Sequence, residues 1–391
     1  MNEKVKLNRD NSVGLVKTKF FNFAEKPNEL ILSNGIKLGP ITIAYQTYGE
    51  LNSKKSNAIL VFHALSGDSH AAGYNSPDDT KPGWWDTMIG PGKPFDTKKF
   101  FVICANVIGG CKGSTGPSSI NPETGKPFGL AFPVISIKDM LIPQKKLLEH
   151  LGIEKLFCIA GGSMGGMLAL QWLVTYPDTA QGAMLIATSP THTAQAIAFN
   201  SVGRFAIISD PNWNNGNYYG MEIPKIGLSI ARMIGHITYL SEKSMHKKFG
   251  RESIKVANSP LTNFIREFEV ESYLQHQGES FIKRFDANSY LYISKAIDDF
   301  DITDGYNNLS EAFQNIKAKC LVISFTSDWL YPKEQSMQLV KALKINGIET
   351  TYTNFESEYG HDSFLIEDER LKKLFAGFLS SLGTAPGELN N

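Results

Sequence analysis

The sequence predicts an α/β protein in which a mostly parallel sheet carries helices on both faces and a helical block interrupts the chain. Three observations predict it. Apolar runs of strand length alternate with helix-forming stretches between residues 58 and 187, the pattern of strands joined by crossover helices. The alternation resumes after residue 309. Between these parts, from about Ser189 to Asn308, helical patterns and aromatic clusters such as Tyr218-Tyr219 and Tyr290-Leu291-Tyr292 replace the strand-like runs.

The elements follow in order. Residues 1 to about 16 read as a frayed start. "ELILSNGIKLGPITIAYQTYG" reads as a hairpin turning at Asn34-Gly35, a strong local hairpin signal. Apolar runs at Ala58 to Phe62 and Phe100 to Ala105 read as buried strands, and a helix is expected from about Ile137 to Leu151. A strand ending at Ala160, a helix after Ser163 and a strand over Gly182 to Ala187 follow. Beyond the helical block come a strand in "KCLVISFTSDWLYP", the helix "KEQSMQLVKALKING", and the stretch "ETTYTNFESEYGHDSFL". The expected organisation is core at 17–188, inserted cap at 189–308 and core again at 309–383, with "GTAPGELNN" as a tail.

Composition narrows the function. In 391 residues, 42% are hydrophobic, ample for a sizeable core, while 39 Lys+Arg balance 39 Asp+Glu. No basic block tracks nucleic acid. The polar start MNEKVKLNRDNS lacks an apolar signal core, and no apolar run reaches the roughly 18 residues of a spanning helix, which points to a cytoplasmic protein with no membrane partner. Cys104, Cys111, Cys158 and Cys320 are dispersed without a C-x-x-C pair and read as reduced core thiols.

Chemistry concentrates in "LFCIAGGSMGGMLALQWL", residues 156–173. An apolar strand runs into a helix, and Gly161, Ser163 and Gly165 fit G-x-S-x-G, in which a strained turn exposes a serine hydroxyl. Such a hydroxyl needs a base and a group to orient that base. The order expected on this kind of sheet is serine, acid, histidine. Asp328 lies at the end of the Cys320 to Phe325 strand, and His361 is the histidine that follows the last strand. Ser163, Asp328 and His361 are therefore the expected triad, delivered from the sheet edge where such folds carry their sites.

An oxyanion hole requires two backbone N–H groups aimed where negative charge develops. Met164, directly after the nucleophile, supplies one; Leu65, in the loop "HALSGDSHAAG" after an early strand, is the candidate for the other. His63 and His70 in that loop precede the serine and read as loop-shaping residues, and their spacing is not that of a zinc helix. "GGCKGSTGP", residues 109–117, is not a phosphate-binding loop, because no lysine follows its final glycine before a Ser or Thr. It reads as a structured loop facing the site. No metal is expected.

A triad makes an acyl-enzyme without naming what accepts the acyl group. To prefer a small zwitterion over water, a site needs a cation, an anion and a cover. Arg204, in an otherwise apolar helical stretch of the cap, has two readings, ligand for a carboxylate or surface ion pair. Asp362, beside the expected base, has two as well, ligand for an ammonium group or helix cap.

"HALSGD", "NVIGGCKGSTGPSSINPETGKPFG", "GGSMGGMLALQW", "AQAIAFNSVGR", "ARMIGHITYLS", "SDWLYP" and "GHDSFL" together resemble the homoserine O-acetyltransferases of methionine biosynthesis, members of the α/β-hydrolase superfamily. The resemblance runs from about residue 17 to 380. It implies an α/β-hydrolase fold with a helical cap, the triad above, and homoserine held by Arg204 and Asp362. It also implies acetyl-CoA as acyl donor, no bound cofactor and a homodimer through cap helices, which "GLSIARMIGHITYLSEKSM" would suit. Phe205 follows the arginine where the family carries a polar residue. Succinyl-CoA as donor, serine as acceptor and simple ester hydrolysis are the alternatives, since a pocket distinguishes a single methylene by only about 1–3 kcal/mol.

Overall fold

The computed structural model describes residues 11–253 and 268–383. The expected start over residues 1–10, part of the 189–308 block and the end of the tail lie outside the described residues. Eight strands form the central sheet: β1 (Lys19–Phe23), β2 (Ile41–Tyr48), β3 (Ala58–Phe62), β4 (Phe101–Ala105), β5 (Leu156–Gly162), β6 (Ala180–Ile186), β7 (Lys319–Phe325) and β8 (Thr350–Phe355). Their spatial order is β1-β2-β4-β3-β5-β6-β7-β8, and only β2 runs against the rest.

Alternation along β3 shows why the sheet must be covered on both sides. Leu60 and Phe62 enter one apolar core while Ile59 and Val61 enter the other, and all four are buried. Each such side chain contributes about 1.5–3 kcal/mol on burial. Helix α1 (Ile137–Leu151) and α2 (Met164–Thr175) pack on the first face. The ends of α1 coincide with the expected ones, for local reasons. Ser136 and Asp139 form a reciprocal capping box, and Gly152 ends the helix in the left-handed region at φ 69°.

Between β6 and β7 the described chain is helical: α3 (Ala194–Ser209), α4 (Lys225–Tyr239), α5 (Glu242–Phe249), α6 (Glu269–Ile282), α7 (Ala287–Asp298) and the short α8 (Leu309–Phe313). α9 (Lys333–Ile345) and α10 (Glu369–Ser381) complete the core around β7 and β8.

Three local features differ from expectation. The Asn34-Gly35 turn closes only a two-residue pair, Leu30–Ile31 against Lys37–Leu38, and the rest of that segment leaves to become β2. β1 was not legible, because its alternate residues Phe21 and Phe23 pack on a core whose partners lie far along the chain. Residues 11–16 are tied down rather than frayed: Leu15 bridges to Tyr74, and the Val16 N–H donates to the Tyr74 carbonyl at 2.8 Å. Cys104, Cys158 and Cys320 are buried free thiols as expected, while Cys111 is only partly buried.

Candidate active site

Ser163 sits between β5 and α2 at φ 58°, ψ −125°, a conformation costly for a residue with a Cβ and held only by its surroundings. Those surroundings explain the glycines. A Cβ on Gly161 would lie 2.2 Å from the Gly165 carbonyl oxygen, and one on Gly165 would lie 2.2 Å from that of Phe62. The turn is further pinned by the Ser163 N–H donating to the Ile186 carbonyl at 3.0 Å and by the Thr188 hydroxyl donating to the Ser163 carbonyl at 3.0 Å.

The other two triad candidates arrive from neighbouring ends. Asp328 follows β7, and its Oδ1 accepts the Leu330 and Tyr331 N–H groups at 3.0 and 2.9 Å, which aims Oδ2 at His361 Nδ1, 2.8 Å away. A carboxylate only accepts, so Nδ1 carries the proton and Nε2 keeps its lone pair. Both side chains are buried. Burial opposes the imidazolium, but the Asp328 charge and hydrogen bond and the Asp362 charge outweigh it, leaving His361 above its ordinary value. Tyr331 stacks its ring on His361 with centroids 4.9 Å apart.

Of the oxyanion candidates, Met164 opens α2, so its N–H has no partner inside the helix. Leu65 lies three residues beyond the end of β3, and its N–H has no backbone partner among the described residues. Gly165, the residue after Met164, packs against the end of β3, where a Cβ on it would lie 3.2 Å from the His63 carbonyl oxygen.

Arg204 takes the ion-pair reading. Its Nη1 lies 2.6 Å from Asp298, whose carboxylate also receives His192 Nδ1 at 2.9 Å and Asn200 Nδ2 at 2.7 Å. These hydrogen bonds and the arginine charge overcome the cost of burial and hold Asp298 below its ordinary value. His192 Nε2 in turn lies 3.2 Å from the Tyr331 hydroxyl, so Arg204 connects to the triad through three intermediaries. Phe205, beside it, is exposed.

Asp362 faces a different cation. Burial raises its carboxyl, while the charges of His361 and Arg232 pull it back. Arg232 stands 5.8 Å over the ring of Tyr239, which itself packs 6.0 Å from His361, and donates to the Ser66 hydroxyl at 3.3 Å. Sequence reasoning missed Arg232, Tyr331, His192 and Asp298. A signal existed for the first two, in "ARMIGHITYLS" and "SDWLYP". Nothing in the sequence pairs His192 with Asp298, 106 positions apart.

Three comparisons bear on this geometry. A model of the alpha/beta hydrolase fold matches residues 57–368. A homoserine O-acetyltransferase of Methanohalobium evestigatum is 59% identical over 94% of this chain and 74% of its own, and one of Deferribacter desulfuricans is 55% identical over 96% and 98%. Among solved structures, homoserine O-acetyltransferase from Bacillus anthracis superposes with a TM-score of 0.87 at 33% identity, covering 93% of this chain and 98% of that one. Esterase E22 superposes at 0.84 with 31% identity, covering 93% and 100%. Fold, nucleophile turn and whole-length similarity agree: the chain belongs to the homoserine O-acetyltransferase family of α/β-hydrolase-fold proteins.

Proposed function

We propose that this protein transfers the acetyl group of acetyl-CoA to the hydroxyl of L-homoserine through an acetyl-serine at Ser163. The chemistry rests on the Asp328–His361 hydrogen bond, together with a serine held in a strained strand-to-helix turn. The acceptor rests on the 51–59% identity to enzymes of that name.

In the first half-reaction His361 Nε2 takes the Ser163 proton as Oγ attacks the thioester carbon. The oxyanion forms against the N–H groups of Met164 and Leu65, and its collapse breaks the C–S bond while His361 returns the proton to the thiolate. In the second, homoserine gives its hydroxyl proton to His361, attacks the acetyl carbon, and Ser163 leaves with the proton. No step calls for a resident cofactor.

For the acceptor clamp we place Asp362 against the ammonium group and Arg232, rather than Arg204, against the carboxylate. Arg204 already spends its charge on Asp298, and a second anion would have to compete with a buried carboxylate. The 189–308 block is proposed as the cap that excludes water. Its exposed apolar residues Phe205, Ile226, Ile230 and Ile237 support the expected homodimer through α3 and α4. No helix among the described residues is long and apolar enough to cross a membrane; a cytoplasmic location is part of the proposal.

Measuring free thiol from acetyl-CoA or succinyl-CoA, each with homoserine, serine or water alone, tests the function. Release that requires homoserine and acetyl-CoA is expected. Equal release with water alone favours the esterase reading, to which the likeness to esterase E22 gives its weight.

A further inference from the structure

His63 is buried, lies beside the nucleophile turn, and has no part in the proton transfers above. Its two ring nitrogens are nevertheless both engaged. Nδ1 stands 2.8 Å from the carbonyl oxygen of Ala64, and Nε2 lies 3.2 Å from the backbone nitrogen of Val107. The roles follow from the partners. A carbonyl only accepts, so Nδ1 carries the hydrogen, and a backbone N–H only donates, so Nε2 is the bare acceptor. Burial keeps the ring below its ordinary pKa and therefore neutral, as this pattern requires.

The Ala64 carbonyl and the Leu65 N–H belong to one peptide unit. In a trans peptide they point in opposite directions, so whatever holds the carbonyl aims the N–H. The Ala64 carbonyl is held twice, by His63 Nδ1–H and by the Gly67 N–H at 2.9 Å. A flip of this peptide would break both bonds and turn the Leu65 N–H away. Gly67 itself sits so close that a Cβ there would lie 2.9 Å from that of His63.

We infer that His63 is the positioning residue of the oxyanion hole: it locks the Ala64–Leu65 peptide in the orientation that presents the Leu65 N–H to the developing charge. The inference rests on the reading of Leu65 as an oxyanion donor. It also gives the 106–117 loop a task. Val107, at its entry, fixes the His63 tautomer, and the loop is anchored on β2 by the Ser114 hydroxyl, which accepts the Ala44 N–H at 3.0 Å and donates to the Asn106 carbonyl at 2.9 Å. Farther along, Cys111 Sγ accepts the Asp286 N–H at 3.4 Å. Arg284 in that same turn donates to the Ser66 carbonyl at 2.9 Å, bracing the far side of the loop that bears Leu65.

Two substitutions separate the two ring nitrogens. In H63N the amide nitrogen falls near the place of Nδ1 and can still donate to Ala64; in H63Q the longer amide reaches the place of Nε2 and serves only Val107. Acylation by p-nitrophenyl acetate, read as the burst of p-nitrophenolate, and acetyl transfer to homoserine are measured for both. H63Q is expected to lose about 10- to 100-fold in both half-reactions with KM values unchanged, because a misaimed donor weakens only the transition states. A trifluoromethyl ketone, whose adduct on Ser163 carries an oxyanion, should lose affinity by the same factor. H63N is expected to keep most of the activity. Replacing the Leu65 nitrogen by an ester oxygen, through the α-hydroxy analogue of leucine, removes the donor itself. If that variant is impaired while H63Q matches wild type, the positioning role of His63 is overturned and the Leu65 reading stands. If the ester variant matches wild type, the Leu65 reading falls and takes the inference with it. Should neither His63 variant fold, nitrogen NMR of histidine-labelled wild-type protein decides: a proton on Nδ1 supports the lock, and a proton on Nε2 overturns it.

Discussion

Arg204 is spent on Asp298: the guanidinium lies 2.6 Å from a carboxylate whose side chain is only 4% exposed. The pair joins α3 to the end of α7, and through His192 it reaches Tyr331, which stacks on His361. Arg204→Ala leaves Asp298 buried without its cation, a change that typically costs about 3–5 kcal/mol. Reduced stability in urea unfolding is expected, together with a lower kcat, while KM for homoserine moves less than twofold. A large rise in KM with unchanged stability would return Arg204 to the role of substrate ligand.

Arg232 should behave in the opposite way. Its charge, after that of His361, lowers the Asp362 carboxyl, and its hydrogen bond to Ser66 is a weak one at 3.3 Å. Losing a charge-assisted hydrogen bond to the acceptor costs about 1.5–3 kcal/mol, or roughly 10- to 150-fold. Arg232→Gln is therefore expected to raise KM for homoserine by that factor. The burst with p-nitrophenyl acetate, which involves no homoserine, should be nearly unchanged.

The contrast between these arginines shows where sequence reading stops. The strained turn at Ser163 was legible because its geometry is local: a strand, a serine, and glycines that the backbone of neighbouring residues requires. That Asp328 and His361 come together was legible because chain order on a doubly covered sheet restricts where the loops after its last strands can lie. Arg204 stands in a suggestive helical position, but the residue that neutralises it is 94 positions away, and periodicity carries no record of that pairing. The roles of Arg232 and His63 depend equally on contacts made only after folding. β1 escaped for a related reason, since an edge strand of five residues has a pattern too short to stand out.

On the proposed mechanism His361 sets the pH dependence. It acts as a base only when neutral, and Asp328 and Asp362 hold its pKa above the ordinary 6.5. The acylation rate should therefore fall as pH drops through a midpoint above 6.5, where the imidazole gains its proton. Asp362→Asn removes one of the charges that favour the imidazolium, so the folded-state pKa falls and the acidic limb moves to lower pH. The p-nitrophenyl acetate burst, followed from pH 5 to 9, separates this shift from any effect on homoserine. A limb that stays in place would show that Asp362 does not act on the base.

Two glycines test how the turn is built. Gly165 cannot accept a methyl group, because its Cβ would lie 2.2 Å from the Phe62 carbonyl oxygen and 3.2 Å from that of His63, both rigid backbone atoms. Gly165→Ala must therefore push α2 away from β3. On the proposed mechanism that movement misaligns the Met164 and Leu65 N–H groups, so both stability and the acylation rate should fall. Gly377, exposed within α10, has nothing within 4 Å of the same position. Gly377→Ala removes only the extra freedom of glycine in the unfolded chain and in a helix interior, and is expected to add about 0.5–1 kcal/mol of stability. Urea unfolding of the two variants beside wild type measures the opposite signs, with the acylation burst as the second readout. If Gly165→Ala were as stable and active as wild type, the close contact between the Ser163 turn and the end of β3 would have to be abandoned, and with it the proposal that Met164 and Leu65 serve one oxyanion.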